Sequence, residues 1–128
     1  MAGRGTWIIL FIVVIFFLSI ITIAVVKNSF GDGKYDDFAK CLTEKGFKEY
    51  GAYWCPHCLE QKKLFGSSYK YITYIECDAR GSGGNPKECD RVGIKGYPTW
   101  ITPEWKFLEG PQSLEVLSQV SGCALISE

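Results

Sequence analysis

The feature that most constrains this chain is an uncharged apolar stretch from Trp7 to Val26, dominated by Ile, Val, Phe and Leu. As a helix rising about 1.5 Å per residue, these 20 residues span the ~30 Å hydrocarbon core of a bilayer. The stretch therefore predicts one transmembrane helix. The remaining residues, roughly one hundred, are enough for one compact domain.

A removed signal peptide is the alternative to an uncleaved anchor. The apolar stretch exceeds the ~7–15 residues usual in signal peptides, and Ala24-Val25-Val26 matches a cleavage site poorly. The sequence thus favours a signal anchor. The predicted organisation is a cytoplasmic N-terminus over 1–6, the anchor over 7–26, a tether over 27–34 and a globular domain over 35–128.

Charge and cysteine content indicate the environment of the globular domain. The chain has 14 basic and 14 acidic residues without a basic cluster, which argues against nucleic acid as a partner. The charges that flank the apolar stretch give only a slight orientation bias. Six cysteines in so short a chain fit an oxidising compartment. We therefore predict a single-pass protein of the cell membrane with an extracytoplasmic domain.

Hydrophobic periodicity and turn residues predict alternating helices and strands in the globular part. Helices are predicted from Asp36 to before Gly46, from Cys55 to Phe65, over 87–92, and after a Ser113 cap with Leu114, Leu117 and Val120 on one face. Strands are predicted over 47–52, 71–77, 96–101 and 105–108, with a glycine-rich loop over 80–86. This pattern is typical of an α/β domain.

The motif Cys55-Pro56-His57-Cys58 opens a predicted helix directly after a strand. At a helix N-terminus the first sulfur meets unpaired amide donors and the positive end of the dipole, and both stabilise a thiolate. The position predicts that Cys55 is the attacking nucleophile. Cys58, one turn inside the helix, is then expected to resolve the mixed disulfide.

The same spacing also forms half of a zinc site, which would need two further ligands. Candidate ligands are Cys77, Cys89 and His57. There is no second Cys-x-x-Cys, and His57 between two cysteines is awkwardly placed to join them on one ion. We predict neither a metal nor a cofactor.

Several motifs together resemble the thioredoxin superfamily: Tyr53-Trp54-Cys55-Pro56-His57-Cys58, Asn85-Pro86 and Val92-Gly93-Ile94-Lys95-Gly96-Tyr97-Pro98-Thr99. More narrowly, the chain resembles the thioredoxin-like domain fused to prokaryotic and plant homologues of vitamin K epoxide reductase. This narrower resemblance rests on residues 50–58, 61–66, 74–77 and 96–100. It implies a thioredoxin-like fold, with a central mixed sheet flanked by helices, here preceded by one transmembrane helix.

The resemblance also implies an activity and partners. The chain is expected to be a thiol-disulfide oxidoreductase acting on thiol-containing protein substrates. It lacks the four-helix quinone-reducing part of the fused proteins, so its electron partner is expected to be a separate quinone-linked membrane oxidoreductase. Alternatives are a membrane-tethered reductase or isomerase, and a non-catalytic metal-binding module.

Roles for individual residues follow from the resemblance. Pro98 is expected to be a cis-proline facing the Cys-x-x-Cys, and Tyr97 beside it, with Trp54 and Pro56, is expected to bind substrate. Glu49 is expected to be a buried acid that takes the Cys58 proton. The alternative is an exposed strand residue paired with Lys48 or Lys63.

His57 is expected to donate a hydrogen bond or a charge to the Cys55 thiolate and so to favour the reduced form. Periplasmic thiol oxidases of the superfamily carry the same four residues in their active sites. The alternative is an imidazole that points into solvent and contributes nothing.

Four cysteines lie outside the reactive motif. Cys77 and Cys89 flank the glycine loop, where the related fused domains carry a second pair that is structural or relays electrons. A bond between them would stabilise by ~2–4 kcal/mol, and two free buried thiols are the alternative. Cys41 and Cys123 form either a second bridge or two separate thiols.

Overall fold

The computed structural model describes residues 3–30 and 33–125, which fall into two units divided between residues 32 and 33. The first unit is one helix, α1, of 27 residues (Arg4–Phe30). Its Gly5–Thr22 segment is long and apolar enough to cross a membrane, a test that signal sequences near an N-terminus also pass. The helix extends beyond the predicted 7–26 at both ends. The predicted tether falls partly on this helix and partly outside the described residues.

The second unit alternates helices with short strands. Its α-helices are α2 (Asp36–Glu44), α3 (Pro56–Phe65), α4 (Pro86–Val92) and α5 (Leu114–Ser121), and a 3-10 helix covers Gly66–Tyr71. Its strands are β1 (Lys48–Gly51), β2 (Tyr74–Glu76), β3 (Thr99–Ile101) and β4 (Phe107–Glu109).

The four strands form one mixed sheet in the order β2-β1-β3-β4. β1 and β2 are parallel, and the remaining pairs are antiparallel. A parallel pair needs a long crossover, which α3 and the 3-10 helix provide. Glu49, at the centre of the sheet, lies opposite Tyr74 on one side and Trp100 on the other.

Helices cover both faces of this sheet. Neighbouring residues of a strand point to opposite faces, and Trp100 and Ile101 of β3 belong to two different core clusters. The Trp100 cluster contains residues of α2, α3 and α5, whereas the Ile101 cluster contains Cys77 and residues of α4. The predicted mixed sheet flanked by helices is therefore the architecture observed.

Three predicted elements differ from the structure. The strand predicted over 71–77 begins only at Tyr74, because the chain is still in the 3-10 helix at Tyr71. The strand predicted over 105–108 is displaced to Phe107–Glu109, since Trp105 lies in the turn between β3 and β4. The strand predicted over 96–101 begins at Thr99.

The buried face of α5 differs in one position. Leu114 and Leu117 are buried as predicted, whereas Val120 is 40% exposed and Ser121 is buried. At 3.6 residues per turn, the face of Leu114 returns at the seventh residue rather than at the sixth. Val120 therefore points away from the core.

Two disulfides cross-link the second unit. Cys41 of α2 bonds Cys123, which follows α5, and their sequence separation is 82 residues. Cys77, directly after β2, bonds Cys89 of α4 at a separation of 12 residues. The first bridge joins the two ends of the unit, and the second fastens α4 next to the sheet.

We expect the two bridges to contribute unequally to stability. Closing a loop lowers the entropy of the unfolded chain more when the loop is longer, so replacing Cys41 and Cys123 by Ala is expected to cost about 4.5 kcal/mol. Replacing Cys77 and Cys89 is expected to cost about 3 kcal/mol. Urea unfolding of the oxidised proteins measures both. Alkylation of all four cysteines in unreduced protein would contradict the pairings.

Candidate active site

The Cys-x-x-Cys motif lies where β1 leads into α3. Cys55 is the N-cap of α3 with extended backbone angles, and Pro56 occupies the first turn. Proline suits this position because its missing N–H has no partner there and its φ is already helical. Cys55 is 6% exposed, Cys58 is fully buried, and both are free thiols. Only the first sulfur can meet another molecule.

The Cys55 sulfur faces the chain that precedes β3. Its thiol donates a hydrogen bond to the Tyr97 carbonyl at 3.7 Å. The Tyr97–Pro98 peptide bond is cis, and Pro98 is fully buried. The Tyr97 carbonyl and the reactive sulfur therefore lie next to each other at one edge of the domain.

Burial governs the chemistry of Cys58. Loss of hydration raises the pKa of this thiol to about 12, although a backbone hydrogen bond from Ala52 opposes the shift. The charges of Cys55 and Glu49 raise it further. A Cβ atom at Gly51 would lie 2.8 Å from the Cys58 sulfur, so only glycine fits at the end of β1. Cys58 is thus a neutral thiol near pH 7 and needs a base before it can attack.

The structure buries Glu49 completely, beneath this motif. Its Oε2 accepts a hydrogen bond from the Tyr69 hydroxyl at 3.0 Å, whereas Oε1 has no partner among the described residues. Burial raises the pKa of Glu49 to about 8, against the opposing effects of Tyr69 and Lys62. The alternative, in which Glu49 is exposed and pairs with Lys48 or Lys63, is therefore wrong.

The ammonium group of Lys62 lies over the rings of Tyr69 and Tyr74. Its Nζ is 4.3 Å from the ring centroid of Tyr74 and 5.3 Å from that of Tyr69. Burial is also the main cause of the raised pKa of both tyrosines. Tyr74 donates to Glu76 at 3.0 Å. The groups facing Glu49 are therefore one cation, two neutral phenols and the Cys58 thiol.

The expected contact between His57 and the Cys55 thiolate is absent from the structure. His57 is exposed, and its Nδ1 lies 3.2 Å from Oε2 of Glu60. Residues three apart share one helix face, which brings Glu60 to the imidazole. Such an exposed pair is worth only ~0.2–0.5 kcal/mol. The imidazole is therefore held away from Cys55 only weakly.

An aromatic rim borders the Cys55 sulfur. Trp54 is half exposed, its Nε1 donates to Oδ2 of Asp78 at 2.7 Å, and its ring meets Tyr97 edge-on with centroids 6.3 Å apart. Arg80 donates to both carboxylate oxygens of Asp78. These hydrogen bonds hold the pKa of Asp78 well below its usual range. The charged carboxylate fixes the indole in place, and Pro56 is exposed in the same region.

Four residues of this site were not found by sequence reasoning: Tyr69, Lys62, Asp78 and Arg80. Asp78 offered a usable signal, because it follows β2 and parallel neighbouring strands end at the same edge of a sheet. Tyr69 and Lys62 offered none, since their proximity to Glu49 arises only from folding.

The zinc alternative loses two candidate ligands, because Cys77 and Cys89 bond to each other. Within residues 3–30 and 33–125, no three His, Cys, Asp or Glu side chains lie close enough together to hold a metal ion.

Replacing Glu49 by Gln should change how stability depends on pH. A folded pKa near 8 means that the folded state binds the proton more tightly than the unfolded state does. This stabilisation is complete below the unfolded pKa of about 4.3 and is lost as pH rises through the folded pKa. We expect urea unfolding to show wild type losing on the order of a few kcal/mol over that range relative to Glu49→Gln. Glu104→Gln, an exposed control, should follow wild type, and a parallel course for all three proteins would contradict the assignment.

No protein-family model matches the chain. It is 42% identical to the thiol-disulfide oxidoreductase LTO1 of Arabidopsis thaliana, over 68% of this chain and 24% of that protein. It is 33% identical to the protein disulfide isomerase-like 2-2 of Oryza sativa subsp. japonica, over 71% of this chain and 29% of that protein. The chain thus spans less than a third of the length of these relatives.

Among solved structures, the chain matches oxidized glutaredoxin 2 from Chlamydomonas reinhardtii with a TM-score of 0.41 and 22% identity, covering 73% of this chain and 100% of that one. The two curated relatives are named for thiol-disulfide chemistry. Their names support a thiol-disulfide oxidoreductase.

Proposed function

We propose that this protein is a membrane-anchored thiol-disulfide oxidoreductase that oxidises protein thiols through Cys55 and Cys58. The observation that carries the proposal is the Cys55 sulfur at the start of α3, 3.7 Å from the Tyr97 carbonyl beside a cis-proline. The names of the two curated relatives support the same chemistry.

In the oxidising direction, the reaction starts from a disulfide between Cys55 and Cys58. A substrate thiolate attacks the Cys55 sulfur, the bond to Cys58 breaks, and a mixed disulfide forms on Cys55. A second substrate thiolate then attacks the substrate sulfur and releases Cys55 as a thiolate, which the N-terminus of α3 stabilises. The substrate loses two electrons and two protons, and the cysteine pair gains the electrons.

Glu49 is proposed to manage the proton of Cys58. A thiol with a pKa near 12 leaves poorly as a free thiolate, and the carboxyl, with a pKa near 8, is largely protonated at neutral pH. The carboxyl can therefore supply the proton when Cys58 leaves, and its anion can remove it in the reverse direction. The unpartnered Oε1 supports this role, while the Tyr69 hydroxyl holds the other oxygen.

Substrate is proposed to bind along the edge that contains Tyr97. The backbone of Tyr97 would pair with an extended segment next to the substrate cysteine. Trp54, held by Asp78, and the exposed ring of Pro56 would contact the flanking side chains. Thiol-containing proteins with accessible, extended cysteine segments are therefore the proposed substrates.

The anchor and the electron partner are proposed from the sequence. The apolar length of α1 supports a single membrane span, and the six cysteines support an extracytoplasmic domain. Each turnover leaves two electrons on Cys55 and Cys58, so continued oxidation needs an acceptor. The resemblance to the domain fused to vitamin K epoxide reductase homologues supports a separate quinone-linked membrane oxidoreductase as that acceptor. A tethered reductase or isomerase is the alternative, and a metal-binding module is a weaker one.

The two cysteines should behave differently when replaced. Cys55→Ser is expected to abolish thiol exchange, because the buried Cys58 sulfur cannot reach a substrate. Cys58→Ser should leave Cys55 able to attack but unable to release, so mixed disulfides accumulate on non-reducing gels. Equal trapping by the two variants would contradict the assigned roles.

The direction of electron flow depends on the reduction potential. We expect a potential more oxidising than about −230 mV, the reducing edge of the glutaredoxin range. His57→Gly should shift it toward about −270 mV, because the imidazole, which Glu60 holds away from Cys55 only weakly, can then no longer donate a hydrogen bond to the thiolate. Glu60→Gln should shift it in the opposite direction by freeing the imidazole, and Lys63→Gln serves as a control on the same helix. Equilibration with glutathione buffers measures all four, and a wild-type value near −270 mV that His57→Gly leaves unchanged would favour the reductase.

The location of the domain can be tested on intact cells. After mild reduction, a thiol reagent that does not cross membranes should label Cys55, because the domain is proposed to lie outside the cytoplasm. A Cys55→Ser chain controls for labelling at other cysteines. Labelling that requires cell lysis would overturn the proposed orientation.

A further inference from the structure

A surface pocket of about 200 Å³ lies at the opposite end of β1 from the reactive cysteines. Its floor includes Lys48, the first residue of β1, and Ile101, the last residue of β3, which pair with each other in the sheet. α4 forms one wall, and the turn between β3 and β4 forms the other. An occupied pocket would therefore leave the edge around Cys55 open.

The turn gives the pocket an exposed aromatic wall. Trp105 has a φ of +60° and is 61% exposed. A bulky residue in this left-handed region is strained, and glycine or asparagine would occupy the position more readily. Pro103 lines the pocket beside it. The turn therefore holds the flat apolar ring of Trp105 in solvent despite an unfavourable backbone conformation.

The opposite side offers an unused hydrogen-bond donor. Tyr50 lines the pocket with a buried ring, and its hydroxyl makes no hydrogen bond among the described residues but is not one of their fully buried polar atoms, so solvent reaches it. Glu88 and Arg91 of α4 are close enough to act on its pKa, so the hydroxyl lies among the polar groups of the pocket.

The charges around the pocket leave one cation without an anion. Arg91 donates to both oxygens of Glu88, at 2.9 and 2.7 Å, and this pair is neutral as a whole. Lys48 makes no ion pair within the described part of the chain, although its charge lowers the pKa of Glu88. The pocket therefore has a net positive charge next to a free hydroxyl.

We propose that this pocket binds a carboxylate attached to a flat apolar group, with Lys48 and the Tyr50 hydroxyl on the carboxylate and Trp105 against the apolar face. Two sources share this chemistry: a free aromatic acid and the C-terminus of a protein that ends in an aromatic residue. The site uses none of the residues of the thiol chemistry, so it stands or falls independently of the proposed function.

The test is a titration of the full chain in mild detergent. The readout is the NMR signal of the Trp105 indole N–H, which is assigned by its loss in a Trp105→Phe variant. Benzoate at millimolar concentrations should shift this signal. Benzamide and benzylamine, with the same ring but no carboxylate, should not. Lys48→Gln should weaken benzoate binding about tenfold, the usual effect of one charged contact on a partly exposed site.

Tyr50→Phe keeps the buried ring and removes only the hydroxyl, so weaker binding by this variant cannot come from misfolding. Lys63→Gln, on the other face of the sheet, should bind benzoate as wild type does. A peptide ending in phenylalanine then separates the sources: tighter binding than benzoate, lost on amidation, points to a protein C-terminus, and weaker binding points to a free acid. An unmoved Trp105 signal, equal binding of benzylamine, or unchanged binding by Lys48→Gln would overturn the site.

Discussion

Burial of the Cys58 thiol within electrostatic reach of the buried Glu49 carboxyl is the constraint on which the rest of the site depends. Neither group ionises readily in that environment, because loss of hydration penalises both anions. The Glu49 carboxyl and the Cys58 thiol therefore both favour their neutral, protonated forms. In the proposed mechanism, a sulfur that leaves or attacks there exchanges a proton with the Glu49 carboxyl, which would couple disulfide chemistry to that carboxyl. The absence of a side chain at Gly51 leaves room for the Cys58 sulfur.

The reactive cysteine and the pocket beside Lys48 lie at opposite ends of β1. At one end, α3 and the cis-proline segment converge on the Cys55 sulfur, and Asp78 and Arg80 fix the neighbouring indole of Trp54. At the other end, the turn between β3 and β4 presents Trp105 beside Lys48. The bridge from Cys41 to Cys123 joins the two ends of the unit and includes neither reactive cysteine.

Local features of the sequence predicted where the helices around the site begin and end, whereas contacts formed by long-range packing were not predictable. The start of α3 follows from Pro56, its end from Gly66, and the start of α5 from the Ser113 cap, all of which act within one helical turn. Lys62 and Tyr69, which act on Glu49, follow it in the sequence by 13 and 20 positions. No local sequence pattern reveals contacts over such separations. His57 was expected to face Cys55, but its Glu60 neighbour, one turn further along the same helix, changes its direction. Trp105 in a left-handed turn also lies outside what propensity predicts.

The central claim is that one cysteine pair reacts while the other two pairs hold the fold. The most direct test is to equilibrate the full chain with glutathione buffers of stepwise potential, alkylate it, and identify by peptide mapping which cysteines were free at each step. The account predicts that Cys55 and Cys58 open and close reversibly as one pair, while Cys41–Cys123 and Cys77–Cys89 stay closed throughout. Opening of Cys77–Cys89 together with the Cys55–Cys58 pair, or failure of Cys55 and Cys58 to bond to each other, would contradict it.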